Sequence, residues 1–192
     1  MKNTILKFVA VVLTMMLTLC VCAFADANDV MLISESDGSG SEATQAPIPR
    51  EEVIKMVVEA RRFAVKSDAT LDFKDSDTVS DEAKGYVATA IERGIITGYA
   101  DGTIRGKDIV TRAEIATIIV RSLNASVDNF DKSSFSDITE NDWYIKYVEC
   151  AKTLGIINGY EDGTFGGENE VTKEEATAMV ERLIKLLEAL EA

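Results

Sequence analysis

Apolar residues recur along this chain at the three- and four-residue spacing of helices that bury one side. Four stretches show the pattern, and their stripe positions are Val87, Ala90 and Ile91; Ile115, Ile118, Ile119 and Ser122; Tyr144, Tyr147, Val148 and Ala151; and Ala176, Met179, Val180 and Leu183. A stripe on one face predicts an amphipathic helix whose other face is solvated. Trp143 opens the third stripe, so the same pattern predicts that it lies in the core.

The starts of the second and fourth helices are marked by polar residues. Thr111 and Glu114 have the Thr-x-x-Glu spacing of a capping box, and Thr172 and Glu175 repeat it. An earlier stretch, "IPREE", has the same form, but Pro49 stands in the threonine position. Proline suits a helix start and offers no side-chain cap. We therefore expect a fifth helix here, capped less well than the other two.

The first and third helices each end at a glycine, Gly94 and Gly155, as expected for a residue just past a helix C-terminus. Short apolar runs follow at Ile95–Ile96 and Ile156–Ile157, and they predict short strand-like segments. The next residues, "GYADGT" and "GYEDGT", predict tight turns in which the glycines take positive φ and the aspartates fix the turn.

The chain is built from repeats. Residues 94–123 align with 155–184 at an offset of 61, and residues 48–62 align with 110–124 at an offset of 62. No helix pair could bury its stripe alone, so the copies must pack on one another. The sequence thus predicts a mainly α protein of helix-loop-helix repeats. The boundaries are a partial repeat at 48–68, repeat 1 at 73–124 and repeat 2 at 135–187.

The amino terminus has the features of an export signal. Lys2 and Lys7 precede an apolar run, and "AFA" at 23–25 has the form of a cleavage site, which predicts a signal peptide over 1–25. A short membrane anchor and lipidation of Cys20 or Cys22 are the alternatives. Residues 26–47, rich in Ser, Gly and acid, are predicted to be a flexible linker.

Composition narrows the classes of function. Signal cleavage would leave 18 basic against 33 acidic residues, a net charge of −15, which disfavours nucleic acid and anionic membranes as partners. There is no histidine, and neither catalytic motifs nor metal-ligand spacings occur; the D-G turns lack the ligand spacing of a calcium loop. We therefore predict no enzyme, no catalytic residues, no cofactor and no metal. The remaining cysteine, Cys150, is expected to be a small buried residue.

Taken together, "FSDITENDWYIKYVECAKTLGIINGYEDGTF", "GIITGYADGTI" and "VTRAE" resemble S-layer homology domains, over about residues 48–187. The resemblance implies three repeats in a pseudo-threefold, mainly helical assembly. It also implies non-covalent attachment of an exported protein to the cell wall. The ligand would be an anionic secondary wall polysaccharide, often pyruvylated, bound in grooves between repeats, with the arginine of T-R-A-E implicated.

Cations in the first helical turn are the sharpest site candidates, because the positive end of the helix dipole disfavours them. Each could clamp a carboxylate beside the helix N-terminus, although Arg112 could instead pair with Asp108 or Glu114. Tyr99 and Tyr160 could stack on a sugar or be buried. The predicted ligand-binding set is Arg112, Arg105, Arg50, Lys173, Thr111, Tyr99, Gly98, Asp101, Tyr160, Gly159 and Asp162. Repeat 2 has Gly166 where repeat 1 has Arg105, so we expect it to bind weakly or only to support the fold.

The function predicted from the sequence is binding of a wall polysaccharide by a secreted protein held at the cell wall. No membrane contact is expected after signal cleavage. The alternative is a structural module that pairs with other envelope proteins and binds no glycan.

Overall fold

A computed structural model describes residues 46–67 and 69–192 of this chain. The signal peptide predicted over 1–25 and nearly all of the linker predicted over 26–47 lie outside the described residues. The described part contains five α-helices: α1 (Arg50–Ala60), α2 (Asp81–Glu92), α3 (Arg112–Ser122), α4 (Ile145–Thr153) and α5 (Lys173–Glu191). The mainly helical fold predicted from the apolar stripes is confirmed.

The helix starts follow the predicted chemistry. Thr111 accepts from the backbone N–H of Glu114 while the Glu114 side chain accepts from the N–H of Thr111, and Thr172 and Glu175 form the same reciprocal pair. Pro49 begins α1 without any side-chain cap. The two capping boxes are confirmed, and the first two N–H groups of α1 and of α3 donate to carbonyls of a neighbouring repeat.

The ends of α2 and α4 explain why no strand follows them. Gly94 and Gly155 take φ of 68° and 69°, as predicted for glycines just past a helix. The N–H of Ile95 then donates back to the Ala90 carbonyl at 2.9 Å, and that of Ile156 donates to Ala151 at the same distance. The N–H groups of these buried isoleucines therefore bond to the C-terminal ends of α2 and α4 and do not pair with a β-strand. In the described residues the β-pairing consists of isolated bridges at other positions.

Three equivalent residues close a ring at the centre of the repeats. The N–H of Ile48 donates to the Val171 carbonyl at 2.9 Å, that of Val171 donates to Val110 at 3.1 Å, and that of Val110 donates to Ile48 at 3.1 Å. Ile48, Val110 and Val171 directly precede the N-cap residues of α1, α3 and α5, respectively. The ring has the cyclic pattern of a pseudo-threefold assembly, and it requires the partial repeat as its third member.

The helices pack in the same cyclic sense. α2 lies against α1, α4 lies against α3, and α1 contacts both α3 and α5. Val53, Ile54, Ile115 and Ile119 are fully enclosed, and Leu183 is enclosed on α5. Burial of such side chains contributes about 1.5–3 kcal/mol each. The core therefore belongs jointly to the three repeat units.

None of the helices within residues 46–67 and 69–192 is long and apolar enough to cross a membrane.

Candidate functional site

The cations in the first helical turns pair with carboxylates of the next repeat. In each pair the cation lies at the first helical position and the carboxylate at the third: Arg50 with Glu114 at 3.4 Å, Arg112 with Glu175 at 3.3 Å, and Lys173 with Glu52 at 2.6 Å. The pairs run α1 to α3, α3 to α5 and α5 to α1, so they close a second ring. Each unfavourable helix-start cation is thus compensated by a carboxylate across a repeat interface.

Arg112 is enclosed by this interface. It is 5% exposed, and its Nε donates to the Phe165 carbonyl at 2.9 Å while Nη2 donates to the Asn158 carbonyl at 3.2 Å. The guanidinium lies over the ring of Tyr160, 4.7 Å from the centroid. The alternative ion pair with Asp108 or Glu114 does not form, because the side chain extends across the interface and reaches Glu175. Each nitrogen of this guanidinium has a protein acceptor.

Arg50 occupies the equivalent place with fewer partners. It is 9% exposed and lies 5.2 Å from the centroid of the Tyr99 ring, and its Nε is buried without a hydrogen-bond acceptor among the described residues. The Glu114 Oε1 that faces Arg50 also accepts from the Tyr99 hydroxyl at 2.5 Å. Desolvation, followed by this hydrogen bond, raises the pKa of Tyr99 to about 12. Tyr99 therefore stays a neutral donor and leaves Arg50 only part of that carboxylate.

A groove of about 420 Å³ opens beside Arg50, and we call it groove A. Its polar and aromatic lining comes from the two full repeats and α1: Arg50, Thr97, Tyr99, Thr111, Glu114, Thr117, Arg121, Trp143 and Glu168. Ile95, Gly98 and Ile118 supply the apolar part. Of the predicted site residues, groove A brings together Arg50, Tyr99, Gly98 and Thr111.

Arg105 extends this cluster from the turn of repeat 1. The Arg105 guanidinium lies 4.1 Å from the centroid of the Tyr99 ring, and its Nη2 pairs with Asp101 at 2.8 Å. The backbone of Arg105 has a positive φ of 54°. Asp101 also accepts from the hydroxyl and the N–H of Thr103. The Thr103 hydroxyl, then Arg105, holds the pKa of Asp101 well below its usual range. Asp101 therefore fixes the turn, as predicted, and aims Arg105 at Tyr99.

The turn of repeat 2 has the same backbone and a different surface. Asp162 accepts from Thr164 as Asp101 does from Thr103, and the Thr164 hydroxyl lowers the pKa of Asp162. Gly166 has a φ of 68° and no side chain to place over Tyr160, which is 42% exposed. The predicted site residues Tyr160, Gly159 and Asp162 lie outside groove A, and of these Tyr160 contacts Arg112. Lys173 lies at the interface between α5 and α1, where it pairs with Glu52.

Gly98 and Gly159 are glycines for a different reason than the one predicted. Positive φ occurs at Gly102 and Gly163, both 83°, and not at these two. A Cβ on Gly98 would lie 2.2 Å from the Phe73 ring, and one on Gly159 would lie 2.3 Å from that of Phe135. The aromatic residue that starts each repeat packs directly on the glycine backbone. The prediction of a positive-φ turn is wrong here, and close packing explains the residue.

Most residues that line groove A are absent from the site predicted by the sequence, and Trp143, Arg121 and Glu168 are among them. Trp143 is 57% exposed, so its predicted place in the core is wrong; α4 begins only at Ile145, and the indole stands in the turn before it. Arg121 donates to the Tyr147 hydroxyl at 3.2 Å and has no carboxylate partner in the described chain. Glu168 contributes an opposing carboxylate. The available signal was the sequence position of Trp143, which precedes the first apolar stripe residue of α4.

Within residues 46–67 and 69–192 there is no group of three His, Cys, Asp or Glu side chains placed to hold a metal ion. Cys150 is buried and free, and desolvation raises the pKa of its thiol to about 11.

Comparison with known proteins identifies two of the repeat units. A profile of the S-layer homology domain matches residues 72–116 and 134–177. A surface layer protein of Brevibacillus choshinensis is 33% identical over 95 residues, 47% of this chain and 8% of that protein. An amylopullulanase of Thermoanaerobacterium thermosulfurigenes is 34% identical over 129 residues, 67% of this chain and 7% of that protein.

A cellulosome-anchoring protein of Acetivibrio thermocellus is 33% identical over 118 residues, which is 59% of this chain and 25% of that protein. The chain thus spans between 7% and 25% of the length of these three relatives. On the profile match, residues 72–116 and 134–177 of the chain belong to the S-layer homology domain family.

Proposed function

We propose that this chain attaches to the cell surface by binding an anionic cell-wall polysaccharide in groove A. The observation that carries the proposal is the Arg50 guanidinium, which lines a groove walled by Tyr99 and Trp143 and whose buried Nε has no acceptor among the described residues. A buried unpaired donor costs about 1–3 kcal/mol, and a carboxylate that reached this nitrogen would recover that cost. Arginine presents a planar fork of donors that matches a carboxylate.

The groove also suits a sugar ring. Tyr99 and Trp143 give it two aromatic faces, and Thr97 and Thr111 offer hydroxyls at its wall. Aromatic side chains combine a large apolar face with a polar edge, which fits the alternating surfaces of a pyranose. We therefore assign the ligand as a sugar bearing a carboxylate, and a pyruvylated wall polysaccharide has that chemistry.

The names of the relatives support a surface location. They include a surface layer protein and a cellulosome-anchoring protein. We propose that this chain is secreted and lies at the cell wall, and that it acts by binding and not by catalysis. The amylopullulanase match covers 7% of that enzyme, so it carries no activity to this chain.

A protein-interaction role is the second candidate. It is favoured by Glu114 and Glu168, which offset the cations of groove A, and by a strongly acidic chain that repels polyanions at long range. In that role the repeats would pair with other envelope proteins.

Co-sedimentation of residues 26–192 with purified wall sacculi distinguishes polysaccharide binding from the protein-interaction role. We expect pelleting with intact walls, and loss of pelleting once the secondary polymer has been extracted. Arg50→Gln is expected to stay in solution, and Arg62→Gln, an exposed arginine far from groove A, serves as the matched control. Equal recovery in the supernatant with intact and extracted walls would refute the polysaccharide role and direct the search to protein partners.

A further inference from the structure

We infer that only one of the three equivalent interfaces binds the ligand, so that each chain holds a single carboxylate-bearing sugar at Arg50. This inference rests on the proposed function. The three interfaces are related by the repeat register, and each combines a first-turn cation with the third-position glutamate of the next helix. They differ in what surrounds that pair, and the differences decide which one is open.

At the interface between α3 and α5, each nitrogen of the arginine already has a protein acceptor. Nε, Nη1 and Nη2 of Arg112 reach Phe165, Glu175 and Asn158 respectively, and the Tyr160 and Phe165 rings lie within 5.0 Å of the guanidinium. A ligand carboxylate would have to displace these protein acceptors. The acceptors are already removed from water in the folded protein, whereas the carboxylate would first have to lose its own hydration. Because the exchange replaces one set of charge-assisted hydrogen bonds with another, it yields no net gain.

The turns of the two repeats differ at the position of Arg105. In repeat 2 this position is Gly166, where a Cβ would lie 2.5 Å from Asn169 and 2.8 Å from the Tyr160 ring, so a side chain there would clash with both. In repeat 1, the guanidinium groups of Arg50 and Arg105 both approach the Tyr99 ring, at 5.2 and 4.1 Å from its centroid, and the Tyr99 hydroxyl donates to Glu114. With Glu114 shared in this way, the donors of Arg50 remain incompletely used.

At the third interface, the surroundings are acidic. The groove there, of about 280 Å³, is lined by Glu51, Glu52, Glu59 and Glu82 with Lys55. In the repeat register, Glu59 stands where groove A has Arg121, and Glu82 stands where it has Trp143. Lys55 pairs with Glu82, and Lys173 pairs with Glu52 at 2.6 Å. A carboxylate entering this groove would meet like charges with every cation already neutralised, and it would find no exposed indole.

The consequence is monovalent attachment. One chain would take up one ligand group, and firm retention on a wall would depend on several chains, or on other domains, acting together. The specificity determinants are Arg50, Arg121 and Trp143, whose places at the acidic interface are taken by Lys173, Glu59 and Glu82, together with Tyr99.

Trp143 makes the inference directly measurable, because it is the only tryptophan of the chain and it lines groove A. Short oligosaccharides prepared from the secondary wall polymer would be titrated into residues 26–192, with heat and indole emission recorded in parallel. We expect one molar equivalent by both signals. The same oligosaccharides after reduction of their carboxylates are expected to give neither.

Variants at the three interfaces complete the test. Arg50→Gln is expected to weaken binding by about 10- to 150-fold, the range for a charge-assisted hydrogen bond. Tyr160→Ala and Lys173→Gln are expected to leave stoichiometry and affinity unchanged. Two or three equivalents, or weaker binding by Tyr160→Ala, would overturn the inference and leave the proposed function standing. Absence of any binding by the unaltered chain would overturn both.

Discussion

Arg112 and Glu175 join the second helices of consecutive repeats, with Nη1 of the arginine 3.3 Å from Oε1 of the glutamate. The other oxygen of Glu175 accepts from the N–H of Thr172 at 3.0 Å and so caps α5. One carboxylate therefore both starts a helix and fixes the neighbouring repeat against it. Glu114 does the same for α3 and Arg50.

This double role predicts unequal costs for two neighbouring substitutions. Thr172→Ala removes only a cap and is expected to lower the free energy of unfolding by about 1 kcal/mol. Glu175→Ala removes the cap and leaves the enclosed Arg112 without a counter-charge, so a loss of about 2–3 kcal/mol is expected. Urea unfolding followed by circular dichroism measures both. Equal losses would show that the ion pair contributes nothing to repeat packing.

Close packing at Gly98 predicts a steric penalty. The Cβ of Gly98→Ala would meet the Phe73 ring and the Thr103 carbonyl, so we expect destabilisation of about 1–3 kcal/mol from overpacking. Ala100→Ser, at an exposed position of the same turn, is the control and should change stability by less than about 0.5 kcal/mol. The shift in urea midpoint is the measurement. An unchanged midpoint for Gly98→Ala would contradict the packing described for the start of repeat 1.

Burial of Cys150 predicts that its thiol is unreactive in the folded protein. With the pKa raised to about 11 by desolvation, the thiol stays protonated at pH 8 and is shielded from reagents. Labelling with a chromogenic disulfide should be slow in buffer and fast in urea. The raised pKa also means that the unfolded chain loses this proton first, so the free energy of unfolding should fall as the pH rises above about 9. Rapid labelling of the folded protein would place Cys150 at the surface instead.

Because Glu168 places a negative charge in groove A, we expect its removal to strengthen wall binding. Glu168→Gln removes a negative charge that faces an incoming anion, and it should strengthen wall binding by about 2- to 5-fold at low salt. Glu161→Gln changes the same charge at an exposed position outside the groove and should have a smaller effect. Depletion from the supernatant at increasing wall concentration gives both affinities. Identical curves for the two variants would exclude Glu168 from the ligand's surroundings.

The parts of the fold that depend on short spacings were predictable. The capping boxes at Thr111 and Thr172 rest on contacts three residues apart, and Gly94 and Gly155 act within one helical turn. The repeat offsets led to the family resemblance and, through it, to the cyclic arrangement. The caps and C-terminal glycines depend on local backbone geometry, and the repeats are visible because the same sequence unit recurs.

Contacts across the interfaces could not be predicted. The partner of Arg112 lies 63 residues away, on a helix whose placement depends on the whole ring. Trp143 was assigned to the core because it fits the stripe of α4, but the helix begins two residues later and the indole turns outward. Gly98 was assigned to a turn because its packing against Phe73 is invisible in the local sequence.

The central claim is that two arginines at equivalent positions have different roles, and one paired measurement tests it. Arg50→Gln and Arg112→Gln would be compared for urea unfolding and for co-sedimentation with walls. The account predicts that Arg50→Gln loses wall binding and little stability, while Arg112→Gln loses stability and, when folded, still binds. If the folded Arg112→Gln protein loses wall binding as fully as Arg50→Gln does, the assignment of the ligand to Arg50 alone is contradicted.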